Sequence, residues 1–271
     1  MKIEVACQKT ESTTEKGRLF QKLALDLLLS QNYDVIEEIR FTGSEIDLHC
    51  KHKINNRKIY VECKAHSSNI SAPILRQLLG TVEFHEYDEG WLLSTSELGK
   101  DAKGFVEEWN KKPKDKSSKL SFYTPQNIID SLQSASIISE QPSQKAQELI
   151  RPPELIGDWS LLVTPFGRFW SVYVLRGGIP HGAIFFNAKS GDVISDKETL
   201  TNIGSVDSSC SNLDIYTIQS AMKKEQQIFD TELPNVVEVQ TGDSWNDYSP
   251  ARPKDFIGRE EPVAECIESC V

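Results

Sequence analysis

Apolar positions in the first half of the chain recur with two different periods. Leu19, Phe20, Leu23, Ala24, Leu27 and Leu28 fall at i, i+3, i+4, i+7 spacing, which predicts an amphipathic helix over residues 14–30 that opens the domain. Three short β-rich runs follow at 33–39, 45–50 and 58–64, parted by Thr42-Gly43-Ser44 and by the polar stretch 53–57. Turn chemistry between such runs predicts a three-stranded meander. Ile74, Leu75, Leu78, Leu79 and Val82 mark a second helix over 72–85. A buried strand at 91–95, a helix around 100–110, a strand at 120–123 and a helix at 126–132 complete the series. The order α-β-β-β-α-β-α-β-α predicts an α/β fold, a mixed sheet flanked by helices.

From residue 134 to 153 the chain turns rich in Ser, Gln and Glu and ends in Arg151-Pro152-Pro153, the composition of a linker. Beyond it, runs at 159–163, 168–175 and 182–186 read as strands, Lys189-Ser190-Gly191-Asp192 as a turn, and 213–229 as a helix. The expected organisation is a first domain over 1–133, a linker over 134–153, a smaller α+β domain over 154–240 and a C-terminal segment over 241–271. Trp159, Phe166 and Trp170 would form either a docking surface or a small core. The chain shows no internal repeat.

Composition narrows the class of protein. With 38% hydrophobic and 26% charged residues in 271, and only 15 Gly and 12 Pro, the chain is of ordinary globular make-up, which excludes a disordered or collagen-like protein. It lacks an apolar run long enough to span a membrane, and the start Met1-Lys2-Ile3-Glu4 lacks a signal-peptide core. A soluble, cytoplasmic protein with no membrane partner is expected. Six scattered cysteines without a Cys-x-x-Cys pair read as reduced thiols rather than staples or a zinc site.

The net charge of −10 argues against a nucleic-acid partner until its distribution is read. Residues 1–130 carry 19 Lys+Arg against 20 Asp+Glu, and residues 131–271 carry 11 against 20, so the acidity belongs to the second half. The near-neutral first half can present a basic face. Lys51, Lys53, Arg57 and Lys58 form one basic run, and Lys111, Lys112, Lys114, Lys116 and Lys119 another. Each is read as a phosphate contact or as solvated loop lysines.

The chemistry is concentrated in Gly43-Ser44-Glu45-Ile46-Asp47-Leu48 and Tyr60-Val61-Glu62-Cys63-Lys64. Strand residues two apart share a face, so Glu62 and Lys64 project together while Val61 and Cys63 face the other way. Asp47 converges on them if the two strands pair. Two carboxylates and one ammonium so arranged suit metal-assisted phosphodiester hydrolysis. Asp47 and Glu62 would hold Mg²⁺, with the Cys63 carbonyl as a further oxygen ligand. Lys64 would position the attacking water or stabilise charge on a phosphorane-like transition state. An acid-x-Lys pair by itself is usually a solvated strand face; the composite with Gly-x-Glu-x-Asp among apolar neighbours carries the signal. His66 is read as a loop histidine, His49 as a hydrogen-bonded strand histidine, and Trp91 and Trp109 as core.

These residues resemble the restriction-endonuclease-like fold with its PD-(D/E)xK site, and within it the Mrr-like branch that cuts DNA. The opening helix Glu15-Lys16-Gly17-Arg18-Leu19-Phe20-Gln21, the later helix Arg76-Gln77-Leu78-Leu79-Gly80, and the run from Ser94-Thr95-Ser96 to Ala102 carry the same resemblance, which covers about residues 11–110. It implies Asp47 and Glu62 as metal ligands, Lys64 as the catalytic lysine, and Gln77 near the site, its amide contacting a phosphate or the attacking water. It further implies Mg²⁺, with Mn²⁺ as a substitute, and double-stranded DNA as substrate. One departure is Gln21, where related sequences often carry an acid; it bears on a second metal site. The run 252–260, with Phe256-Ile257-Gly258-Arg259-Glu260, resembles the entry segment of STAND NTPase modules, although no phosphate-loop motif follows. That implies the N-terminal effector part of a longer antiviral protein, active as a homo-oligomer. The function expected is a metal-dependent DNA endonuclease in restriction or phage defence. The alternative is a catalytically inactive nuclease-fold module used for nucleic-acid binding or assembly. RNA as substrate stays open, since nothing in the motif reads a 2′-hydroxyl.

Overall fold

Helix α1 (Thr13–Ser30) packs against both of two five-stranded sheets and ties them into one core. The computed structural model describes residues 1–8, 13–39, 47–65, 68–207 and 213–220, and of residues 13, 36–39 and 47 the backbone alone. The first sheet runs in the order β2 (Tyr33–Ile39), β3 (Asp47–His52), β4 (Lys58–Lys64), β5 (Glu89–Ser94), β6 (Leu120–Tyr123). The meander β2-β3-β4 is antiparallel, as expected, and β5 and β6 join it in parallel. Parallel neighbours require crossovers, and α2 (Ala72–Phe84) and α3 (Lys100–Asn110) supply them, with the short α4 (Lys114–Ser117) before β6. Helix α5 (Pro125–Ser134) follows, and the α/β order read from the sequence is present.

The two faces of this sheet are covered by different helices. Leu48, Cys50, Ile59, Val61, Cys63, Trp91 and Leu93 pack with Leu19, Phe20, Leu23, Ala24, Leu27 and Leu28 of α1. Tyr60 and Leu92, on the opposite face, pack with Leu75, Leu78 and Val82 of α2 and with Ala102 and Trp109 of α3. Gly90 of β5 lets α2 approach, since a Cβ there would run into the Val82 side chain.

The second sheet departs from expectation at its edges. Its order is β1 (Lys2–Val5), β7 (Leu155–Thr164), β8 (Gly167–Arg176), β9 (Ile179–Asn187), β10 (Asp214–Ile215). The chain therefore opens with a strand rather than a helix, and that strand pairs in parallel with residues 160–163. Residues 134–153, read above as a linker, carry α6 (Ser143–Leu149), whose Ala146 and Leu149 enter the same core as α1. The helix expected over 213–229 begins instead as β10, where Asp214 and Ile215 pair with Gly182 and Ala183. Residues 221–229 lie outside the described residues. Helix α7 (Lys197–Val206), which the hydrophobic pattern did not reveal, covers the outer face through Ile203 against Leu162, Phe169 and Phe185. Trp170 is fully buried and Trp159 packs on it edge-to-face, so both are core, whereas Phe166 is 44% exposed. Residues Met1–Lys223 form one compact unit.

Candidate active site

Strand β4 alternates two environments. Val61 and Cys63 are buried on the α1 face, and Glu62 and Lys64 project from the face that carries α2. Lys64 Nζ lies 3.1 Å from Glu62 Oε1, with the side chains 15% and 4% exposed. An ion pair at that depth gains little net stability, because desolvating both charges offsets their attraction. Charged groups kept in such a place are functional candidates.

The pair sits at the carboxyl ends of the parallel strands, where open α/β sheets bind ligands. Lys64 is in register with Ser94, the last residue of β5, and the Thr95 amide donates to the Lys64 carbonyl at 3.0 Å. The loops leaving β4 and β5 are sewn together. The Ile70 amide donates to the Glu97 carbonyl at 2.9 Å and the Gly99 amide to the Ile70 carbonyl at 2.8 Å. Asp101 of α3 accepts from the Ala72 amide at 2.8 Å at the start of α2, which holds its carboxyl below the usual carboxylate range.

Asp47 opens β3, its backbone paired with Ile39; the next residue, Leu48, pairs with Val61, so Asp47 stands one ladder step beyond, level with Glu62. Gly43–Ile46 and His66 lie outside the described residues. The Cys63 side chain is 4% exposed and belongs to the α1 core, which leaves its carbonyl as the possible ligand group. Gln77 occupies an exposed position of α2, off the buried stripe of Ala72, Leu75, Leu78 and Val82. His49 packs edge-on to Tyr87 at 5.0 Å. Gln21 is 6% exposed, and its Nε2 has no hydrogen-bond partner among the described residues.

The two basic runs lie at the other end of the sheet. Lys58 begins β4 and Lys64 ends it, and Lys119 precedes β6. Much of their charge is locally matched: Lys53 pairs with Asp34, Arg57 with Glu89, Lys111 with Glu108 and Lys119 with Glu83, while Lys112 lies over the Trp109 ring. Trp91 and Trp109 are 6% and 5% exposed, core as expected. Sequence reasoning overlooked Ser94 and Ser96 as site residues. Both are buried, Ser94 is the register partner of Lys64 and Ser96 lies against Ser94; the signal for Ser94 was a hydroxyl at the end of an otherwise apolar strand.

The oxygen donors here suit a hard divalent cation, for Glu62 is a nearly buried carboxylate and the adjoining strand ends supply carbonyls. Among the described residues no group of three or more His, Cys, Asp or Glu side chains is placed to hold a metal. Nor, among them, is any helix long and apolar enough to cross a membrane.

No curated protein matches the chain. Among solved structures, the DNA modification-dependent restriction endonuclease AspBHI aligns at 20% identity with a TM-score of 0.33, covering 44% of this chain and 31% of its own. The match thus spans about a third of that endonuclease. A protein of unknown function, AF1548, aligns at 15% identity with a TM-score of 0.30, covering 48% of this chain and 76% of its own. The stretch that contains α1, the β2-β3-β4 meander, α2, β5, α3 and the Glu62–Lys64 pair, residues 13–114, matches the Mrr_cat family of restriction endonucleases.

Proposed function

We propose that this chain is a Mg²⁺-dependent endonuclease that hydrolyses phosphodiester bonds of double-stranded DNA. The observation that carries the reading is the buried Glu62–Lys64 pair at 3.1 Å, on the strand next to the one that Asp47 opens, inside the restriction endonuclease match. Asp47, Glu62 and the Cys63 carbonyl would hold the ion. When bound, Mg²⁺, or Mn²⁺ in its place, supplies charge neutralisation at the scissile phosphate and acidifies the attacking water. Glu62 holds the Lys64 ammonium in place by the short ion pair, so its positive charge is positioned without reorganisation. That charge would orient the water and meet the negative charge that grows on the phosphoryl oxygens. Gln77 would approach the DNA backbone from α2. No covalent intermediate is needed.

In a cell the activity would serve restriction or phage defence in the cytoplasm. The likeness of residues 252–260 to a STAND entry segment, which lies outside the described residues, supports an effector activated when chains assemble. A second reading, a nuclease-fold module that binds DNA without cutting it, is favoured by Gln21, a buried neutral amide where related sequences often carry an acid. It predicts DNA binding indifferent to EDTA and to Glu62→Ala.

The deciding experiment is cleavage of supercoiled plasmid in Mg²⁺, Mn²⁺ or EDTA, with wild type and Lys64→Ala compared across a wide range of protein concentration. Metal-dependent cutting should fall at least about 100-fold in Lys64→Ala. A steep dependence on concentration is expected if assembly activates the chain. No cutting at any concentration, together with metal-indifferent DNA binding, would move the assignment to the binding module.

A further inference from the structure

Two buried hydroxyls, Ser94 and Ser96, stand at the end of β5 next to β4, where an apolar strand end would suffice. Of the seven buried polar or charged residues among those described, Glu62, Ser94 and Ser96 are gathered at this point. Ser94 is 1% exposed and Ser96 9%, and Ser94 is the parallel register partner of Lys64. Register partners in parallel strands project from the same face, so the Ser94 hydroxyl stands beside the Lys64 stem. Leu92, the register partner of Glu62, shows what the rest of β5 offers on this face. A serine there exchanges packing for a polar group that must find partners.

One hydroxyl hydrogen of the Ser94–Ser96 pair is left over. Ser94 Oγ and Ser96 Oγ lie 3.1 Å apart, and the Ser96 amide donates to Ser94 Oγ at 3.0 Å. Each hydroxyl has one hydrogen to give. Their mutual bond uses one of the two, and no acceptor among the described residues takes the other. A turn closed by the Ser96 amide needs the Ser94 oxygen as acceptor; it does not need a second hydroxyl. A buried donor without an acceptor is costly in the empty site and useful when an anion arrives. Lys64, with 15% of its side chain exposed, marks where the site opens.

We propose that the spare hydroxyl hydrogen of the Ser94–Ser96 pair donates to a non-bridging oxygen of the scissile phosphate, making the pair a phosphate-binding element beside Lys64. The proposal rests on the nuclease reading of Glu62 and Lys64 and adds the residues that would grip the phosphate on the β5 side. It is distinct from a metal-ligand role, because a hydroxyl hydrogen is given to the substrate rather than an oxygen to the ion.

The test uses the full chain with Ser94→Ala/Ser96→Ala, Ser96→Ala and Ser96→Thr. Affinity for a DNA duplex is read by fluorescence anisotropy with Ca²⁺ in place of Mg²⁺, plasmid cutting is read in Mg²⁺, and folding by thermal melting. The double alanine variant should weaken DNA binding roughly fivefold and lower kcat/KM roughly tenfold, as expected for one lost hydrogen bond to a charged group. Its melting temperature should fall by a few degrees, because the Ser96 amide loses the Ser94 oxygen; Ser96→Ala, which keeps that oxygen, should melt close to wild type, and Ser96→Thr, which keeps both hydroxyls, should bind and cut nearly as wild type does. Unchanged affinity and rate in the double variant would overturn the proposal. So would losses that Ser96→Thr shares and that follow a lowered melting temperature, which is the outcome for a turn with a structural role. Should wild type not cut, the nuclease reading fails, and the anisotropy comparison alone then decides the phosphate contact.

Discussion

Lys64 keeps its charge in a place that water scarcely reaches, and Glu62 is even deeper. Neither residue is understandable singly: removing the lysine takes away the cation paired with a buried carboxylate, whereas neutralising both relieves the desolvation that each charge suffers. Lys64→Ala is therefore expected to cost up to about 3 kcal/mol of folding stability. Glu62→Gln/Lys64→Ala should recover most of that loss while remaining inactive. Urea denaturation of the four members of the cycle measures the coupling directly. Additive single-variant effects would show that the 3.1 Å contact carries no stabilising interaction. Of this site, the period-2 alternation of Val61-Glu62-Cys63-Lys64 was readable in the sequence, because a strand puts alternate side chains on opposite faces whatever surrounds it. The hydroxyls of Ser94 and Ser96 were not, because their meaning depends on β5 pairing in parallel register with β4, a contact spanning about thirty residues that no local pattern encodes.

At the level of elements, α2 owes its start to a residue on a different helix. Asp101 accepts from the Ala72 amide, and its carboxyl is held below the usual range chiefly by that bond, helped by Arg76. A folded-state value below the unfolded one means the bond stabilises at pH values above the ordinary carboxylate range. The contribution is lost as the pH falls through the depressed folded value. At neutral pH, Asp101→Ala should speed amide exchange in the first turn of α2 and lower the melting temperature by a few degrees. Wild type and variant should converge in acid. Hydrogen exchange followed from pH 7 downward tests this, and a difference that persists unchanged in acid would assign the effect to packing. Helices α1, α2 and α3 were legible because their apolar stripes are long enough to show a period, with Leu19, Leu23 and Leu27 the clearest case. Strand β1 was hidden by its four residues and by a partner more than 150 positions away. Strand β10 was read as helix because Leu213, Ile215 and Tyr216 are apolar at mixed spacing. In the fold, Ile215 lies against the outer face and Tyr216 donates to the buried Glu154 carboxylate at 2.6 Å.

Over the whole molecule, residues 134–153 have the composition of a linker, yet α6 within them packs into a core that both sheets share. Helix α1 buries Leu19, Phe20, Leu23, Ala24, Leu27 and Leu28 in one cluster with Val61 and Cys63 of the first sheet and Leu161, Val163, Trp170 and Phe186 of the second. Arg168 of β8 pairs with Asp26 of α1, and the Lys145 ammonium of α6 reaches Asp192 after β9 at 2.9 Å. Cutting the chain after residue 133 would leave β1 without β7 and uncover the α1 surface that the second sheet protects. At roughly 2 kcal/mol for each large apolar side chain so exposed, the loss is on the order of 5–10 kcal/mol. That is comparable with the entire stability of a typical domain, about 5–15 kcal/mol. A fragment of residues 1–133 is thus expected to lack a cooperative thermal transition and to bind a hydrophobic dye, while residues 1–223 melt in one step. A sharp melt with dispersed amide resonances in the shorter fragment would show that the first sheet folds without the second. The single shared core also offers a route by which a displacement of the second sheet would reach Glu62 and Lys64: through α1, whose Phe20 packs in the same cluster as Val61 and Cys63, the residues on either side of Glu62.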